Sequence, residues 1–182
     1  DFFPDPKATD IDSGDFVIFR YPYFSDWTGI MRKSNSLTRE KSFGSFQYRQ
    51  TGKQHRRWML ERLKAIREKN AVYVVVEICG LVVGSASIWR IPGEPGRGNL
   101  EISIRSKIPR TREKLHGRGI GKKLVYAVMR EAKVILKIKI VKLGVYVANQ
   151  NAIKLYLKCG FRELYRVRRE RNHYGIMRDR IY

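Results

Sequence analysis

The run His116, Gly117, Arg118, Gly119, Ile120, Gly121, Lys122, Lys123 has the residue types and spacing of an anion site. Glycine at alternate positions removes Cβ atoms, so backbone N–H groups can approach a ligand closely. Directly after it, Ile120, Leu124, Val128, Ala132 and Ile135 recur at steps of three and four, the period of an amphipathic helix. The first N–H groups of a helix lack intrahelical partners, and the helix dipole places about +0.5 charge there. Arg118, Lys122 and Lys123 add full charges, so a phosphate or pyrophosphate is the expected ligand. A plain turn is the alternative reading of the glycines alone. A Walker A loop is excluded, because G-x-x-x-x-G-K-[ST] cannot be laid on these residues. The dinucleotide fingerprint fits poorly as well. It needs a tight turn straight off a strand, whereas a long basic loop precedes this run.

A second stretch follows about 25 residues on, at 143–161. A strand over 143–147 gives way to Asn149, Ala152, Ile153, Leu155, Tyr156, Lys158, Gly160 and Phe161. The two stretches, in this order, resemble the GNAT superfamily of acetyl-CoA dependent N-acetyltransferases. The family's cofactor loop, Q/R-x-x-G-x-G/A, falls on residues 116–121, with His116 in place of Gln or Arg. Its later pattern, N-x-x-A-I-x-L-Y-x-K-x-G-F, is matched from Asn149 to Phe161. The resemblance extends from Tyr73 to the C-terminus, and the segment 106–115 is longer than in the family.

The resemblance implies direct acetyl transfer from acetyl-CoA to a primary amine, without a covalent enzyme intermediate or a metal. It assigns the pyrophosphate to His116, Gly117, Arg118, Gly119, Ile120, Gly121 and Lys122, mainly through backbone N–H groups. It assigns the pantetheine arm to the open edge of Ile102, Ser103, Ile104 and Arg105, with strands splayed near Ile104 and Val145. A backbone N–H near Ile104 would polarise the thioester carbonyl. Tyr156 stands at the motif position of the general acid, and an ordinary tyrosine pKa of about 10 keeps it protonated. The alternative for Tyr156 is a core residue beside Leu155 and Leu157. Asn149 would hold the cofactor arm, cap the helix, or both. Glu101 would be the general base, acting through a water, or else point to solvent or pair with an arginine; Glu77 and Glu40 are lesser candidates. In the family the segment between the first two helices shapes the acceptor site, which brings in Glu40, Phe43, Phe46 and Tyr48, whose alternative role is loop anchoring.

The elements that must position these groups can be read along the chain. Residues 1–14 are expected to be an irregular lead-in and 15–182 a single N-acetyltransferase domain. Residues 16–20 read as a strand, and Ser25 or Asp26 as the cap of a helix to about Leu37. A loop follows, then an amphipathic helix over 54–69 with Trp58, Met59, Leu60, Leu63 and Ile66 inward. Strands are expected at 72–76, 81–91, 100–105 and 140–147, then a helix to Lys158 closed by Gly160, and a final antiparallel pair over 161–168 and 174–181. The periodicities alone give mixed α and β. The resemblance specifies an α/β fold with a mostly antiparallel sheet of about seven strands and helices on both faces.

Composition sets the outer bounds. The chain of 182 residues is most simply one domain, large enough for a full core. Cys79 and Cys159 are far apart and His55, His116 and His173 are scattered, which argues against a structural zinc and fits a reducing cytoplasm. No apolar run approaches the roughly 20 residues of a membrane helix. The chain opens on Asp1 rather than methionine, so trimming is expected. The outlier is charge: 38 Lys plus Arg against 17 Asp plus Glu, or +21. Such an excess favours anionic partners, RNA and ribosomes included, or is simply a solvated basic surface. A second function class follows from it, a non-catalytic basic module binding RNA or ribosomes. For the enzyme, the same charge repels a polyamine and favours a protein or peptide amine as acceptor.

Overall fold

The computed structural model describes residues 7–10, 16–43, 46–109, 111 and 113–182. Among the described residues, nine strands and four α-helices follow one another as β1 (Lys7–Asp10), β2 (Phe16–Arg20), α1 (Trp27–Arg39), α2 (Gly52–Arg67), β3 (Ala71–Ile78), β4 (Leu81–Arg90), β5 (Arg97–Ile104), α3 (Ile120–Ile135), β6 (Ile140–Lys142), β7 (Val145–Tyr146), α4 (Gln150–Lys158), β8 (Arg166–His173) and β9 (Ile176–Ile181). They form a six-stranded sheet in the order β1-β2-β3-β4-β5-β6 and a three-stranded sheet in the order β7-β9-β8. Every pairing is antiparallel except β5 with β6. The expected α/β, mostly antiparallel architecture is present, with its strands divided between two sheets.

The large sheet is buried on both faces, which is why β3 reads as a continuous apolar run rather than an alternation. Its side chains nevertheless separate by parity. Val72, Val74 and Val76 join the core beneath α3, with Leu124, Val125, Val128 and Ala132. Tyr73 and Val75 face the other way, against Ile30 of α1 and Met59 of α2. Each fully buried aliphatic side chain of this kind contributes about 1.5–3 kcal/mol. Helix α2 starts earlier than its apolar period suggests, because Thr51 caps it: Gln54 N–H donates to Thr51 Oγ1 at 3.3 Å and Thr51 N–H to Gln54 Oε1 at 2.9 Å. Leu60, expected inward, is 56% exposed; the inward stripe runs through His55, Trp58, Met59, Leu63 and Ile66. Residues 7–10, expected to be irregular, form an edge strand on β2, while the rest of 1–14 lies outside the described residues.

The decisive departure lies in 140–147, expected as one strand. Strand β6 pairs in parallel with β5 only from Arg97↔Ile140 to Asn99↔Lys142. The chain then turns away, and β7 pairs with β9 at Val145↔Ile181 and Tyr146↔Arg180. Gly144 permits the change of partner. A Cβ there would stand 2.6 Å from a ring carbon of Tyr182 and 2.1 Å from an Arg180 guanidinium nitrogen. Beyond Asn99, β5 therefore keeps β4 on one side and, among the described residues, has no strand partner on the other. Gly144→Val should destabilise the protein by about 1–3 kcal/mol through overpacking. Urea unfolding would measure it, and unchanged stability would remove Gly144 as the cause of the break.

Candidate active site

The glycine run sits where the open side of β5 ends. Arg105 N–H donates to Val83 O at 2.8 Å, which holds the end of β5 on β4. Antiparallel bonding alternates, so the N–H groups of Ile102 and Ile104 are turned to the opposite, unpartnered edge. The long basic loop that follows is folded back on itself by Leu115 N–H to Ser106 O and Ile108 N–H to Glu113 O, both at 2.9 Å, with Ile108 and Leu115 buried as its anchors. This anchoring delivers the chain to Gly117 and Gly119, whose φ values of +89° and +74° lie in the left-handed region. Nothing lies within 4 Å of a Cβ built on either, so the space over both is open. The first intrahelical bond of α3 is Lys123 N–H to Gly119 O at 3.1 Å. The N–H groups of Ile120, Gly121 and Lys122 thus have no intrahelical acceptor.

These features fit a pyrophosphate, though not every residue contributes alike. Gly121 serves packing: a Cβ there would stand 3.0 Å from Leu155 and 3.6 Å from Ile104, so α4 and β5 close directly on the first turn of α3. Arg118 extends to Glu113 at 3.6 Å. His116 is exposed, and the Lys122 ammonium lies 5.7 Å from the Tyr126 ring. The contact through Leu155 brings α4 to the open side of β5. Tyr156, on α4, packs in the same cluster as Ile102 and Ile104 and meets Phe161 at 5.8 Å. Burial pushes its hydroxyl up to about 12, with Cys159 adding slightly, so it stays protonated. Asn149 is the α4 cap, its side chain accepting from Ala152 N–H at 3.3 Å.

The opposite face of β5 carries Glu101, Ser103 and Arg105, by the period of two. Glu101 and Ser103 line a cavity of about 160 Å³ together with Lys33, Arg62, Tyr73, Ser85, Phe46 and Trp58. Glu101 is exposed and 3.8 Å from Arg62, whose guanidinium lies 4.1 Å from the Trp89 ring and 4.8 Å from Trp58. Glu77 is committed elsewhere, accepting from Arg20 at 2.7 Å two strands away. Glu40 accepts from Ser36 and Ser106 at 3.0 and 2.8 Å and ties the end of α1 to the loop after β5. Phe43 stacks on His173 at 4.8 Å, and Tyr48 is 80% exposed.

Lys33 was not among the expected site residues. It is 2% exposed, and its ammonium donates to Ser85 Oγ at 2.5 Å and Ser103 Oγ at 2.7 Å. Burial, then the positive charge of Arg105, lowers its pKa to about 7. The signal was present: Ile30, Lys33, Ser34 and Leu37 form the buried stripe of α1, and a lysine on such a stripe needs a reason. His55, also missed, is wholly buried with neither ring nitrogen hydrogen-bonded, stacked on Trp58 at 4.8 Å. Burial and the Lys33 charge lower it to about 4.

The model of the acetyltransferase (GNAT) family matches residues 35–161, more than half of the chain. The chain belongs to the GNAT family. As a GNAT enzyme it is an acetyl-CoA dependent N-acetyltransferase. Similar folds include a ribosomal-protein-S5-alanine acetyltransferase from Vibrio fischeri, 15% identical, covering 96% of this chain and 93% of that one at a TM-score of 0.79. A ribosomal L7/L12 α-N-protein acetyltransferase in complex with coenzyme A is 14% identical, with 96% and 95% covered and a TM-score of 0.76. A ribosomal-protein-alanine N-acetyltransferase from Brucella melitensis is 20% identical, with 90% and 95% covered and a TM-score of 0.74. No curated protein sequence matches the chain. Among the described residues, no helix is long and apolar enough to cross a membrane, and no group of three or more His, Cys, Asp or Glu is placed to hold a metal.

Lys33 makes the stability of this GNAT enzyme depend on pH in a defined direction. Its pKa falls from 10.5 unfolded to about 7 folded, so between these values the unfolded chain binds the extra proton. Stability is therefore lost as pH falls from 10.5 to 7, and the cost is complete below 7. The stability difference between Lys33→Met and wild type should favour the variant most at pH 6–7 and shrink toward pH 10, by on the order of a few kcal/mol. Denaturant unfolding across this range measures it. A difference that does not vary with pH would show that Lys33 is not buried as a near-neutral amine.

Proposed function

We propose that this enzyme acetylates the α-amino group of a protein or peptide by direct transfer. The observation that carries the reading is the two-sided end of β5: an unpartnered backbone edge, Tyr156 on one face, and the Glu101 cavity on the other. Bound acetyl-CoA supplies the acetyl group as an activated thioester. The backbone N–H groups of Ile120, Gly121 and Lys122, with the open turn at Gly117 and Gly119, hold the pyrophosphate. The outward edge of Ile102 and Ile104 holds the pantetheine arm as an added strand would, and Ile104 N–H polarises the carbonyl. Glu101, paired with Arg62 at 3.8 Å, accepts the proton of the incoming ammonium, directly or through a water. The amine nitrogen then bonds the acetyl carbon as the carbon–sulfur bond breaks, and Tyr156 gives its proton to the departing sulfur. The second proton that the nitrogen sheds as the amide forms restores the Tyr156 hydroxyl through water, while Glu101 returns the first to solvent. Asn149 fixes the start of α4 and thereby the position of Tyr156.

The acceptor assignment rests on electrostatics and acidity. An α-amino group has a pKa near 8, against about 10.4 for a lysine side chain, and needs less help from a base. A body carrying +21 repels a polyamine at long range. Solved structures of similar fold named as ribosomal-protein N-acetyltransferases support the same direction.

Tyr156→Phe should lower turnover by about 10²–10⁴ while acetyl-CoA affinity changes little, since only a proton donor is lost. Wild-type turnover in a folded variant would make Tyr156 a packing residue. For the acceptor, steady-state rates with short peptides bearing free N-termini should exceed those with spermidine at physiological salt. Spermidine winning by a wide margin would overturn the acceptor assignment and leave acetyl transfer intact.

A further inference from the structure

The acceptor side of β5 does not end at the Lys33 cavity. Two residues beyond Ser103, and on the same face, Arg105 borders a second depression of about 400 Å³, lined also by Met31, Arg32, Asn35, Ser36, Arg39 and Arg49. Four guanidinium groups converge there from three places: Arg32 and Arg39 on α1, Arg49 in the loop before α2, and Arg105 after β5. Among the described residues, none of the four side chains has a hydrogen bond or an ion pair. This differs from the other basic side chains of the region, since Arg62 reaches Glu101 and Arg118 reaches Glu113.

The arrangement is held rather than incidental. Asn35 Nδ2 donates to Gln50 O at 3.0 Å, and Gln50 N–H donates back to Asn35 Oδ1 at 2.8 Å. This reciprocal pair fastens the loop to α1 and keeps Arg49 beside the groove. Arg105 Nε is buried and unpartnered. Burial lowers the Arg105 pKa; Glu40 opposes this, while Arg32 and Arg39 add to it. Four like charges gathered in one groove, offset by the Glu40 carboxylate alone, are a cost, and an anion entering the groove lowers it. Bidentate contact with carboxylates suits guanidinium groups in particular.

The position of the groove says which anion. The pyrophosphate cradle lies at the start of α3, on the other side of the sheet from α1. The groove instead opens on the outer face of α1, away from the Lys33 cavity, and meets the end of β5 at Arg105, the residue after Ile104. A peptide whose amine reaches the thioester beside Ile104 advances about 3.3 Å per extended residue. Leaving the thioester past Arg105, its next few residues come within reach of Arg32 and Arg39 on the outer face of α1.

We infer that the arginine groove binds carboxylate side chains of the acceptor, so the substrate is a peptide N-terminus followed within three or four residues by Asp or Glu. This deepens the peptide-amine reading and rests on it. The test uses peptides of equal length with the same first residue and with Glu, Gln or Lys at positions 2–4, assayed at saturating acetyl-CoA and two salt concentrations. The Glu peptide should have a kcat/KM about tenfold above the Gln peptide, with the Lys peptide poorest and the spread shrinking as salt rises. In the double variant Arg39→Gln, Arg49→Gln the Glu-to-Gln ratio should fall to about twofold or less. Both side chains are exposed, so the variant is expected to fold. Equal use of all three peptides, or a preference for Lys, overturns the inference and leaves the peptide-amine reading standing. Turnover of spermidine with none of the peptides removes both. A large loss of acetyl-CoA affinity in the double variant, read by calorimetry, assigns the groove to cofactor phosphates and overturns the inference as well.

Discussion

Beyond Asn99 the backbone of β5 has a strand on one side only, and the site depends on that imbalance. Unpaired peptide groups in a sheet are normally costly or hazardous, because they invite another strand. Here the neighbour is withdrawn by the departure of β7 toward β9, and the vacated edge is turned toward the loop that opens α3. The closure of α4 on α3 through Leu155 and Gly121 then brings Tyr156 to the same edge. A single change of strand partner thus produces an opening, a row of available N–H groups and a wall carrying the Tyr156 hydroxyl.

The sheet also separates the two kinds of chemistry. Odd-numbered residues at the end of β5 face α1 and α2, while Ile102 and Ile104 face α3 and α4. In the proposed reaction, a proton taken from the amine on one side and a proton given to sulfur on the other do not compete for one group. Lys33 lies on the face of Glu101 and Ser103, held by two serine hydroxyls, with its pKa lowered to about 7. In the proposed reaction, losing part of its charge there weakens the repulsion that Lys33 would exert on an incoming ammonium.

The parts of this site that are local in sequence were legible as such. The glycine run, the period of α3, the Asn149 cap and the Gly160 stop each depend on residues within a few positions of one another. What escaped depends on partners far along the chain. The break at Gly144 is invisible in 140–147 because its cause, Arg180 and Tyr182, lies more than thirty residues on. Lys33 looked like one surface lysine among many until Ser85 and Ser103 met it. Arginines at 32, 39, 49 and 105 become one feature only when α1, its following loop and β5 are folded together. The strand at 7–10 was hidden for a related reason, since an edge strand with one neighbour needs little of the apolar alternation that marks a central one.

The glycines that open α3 are usually written as one motif, yet they answer to unrelated constraints. At 117 and 119 the requirement is the sign of a backbone dihedral, and empty space surrounds both positions. At 121 the conformation is ordinary helix, and the requirement is the separation between two helices and a strand. A related sequence could therefore replace glycine by asparagine at the first two positions, a residue that tolerates the left-handed region, and keep its cradle. At the third it could admit alanine once the Leu155 side chain on the facing helix gives way by a few tenths of an ångström. Divergence along this loop should then follow two separate clocks, one set by local geometry and the other tied to substitutions some thirty residues downstream.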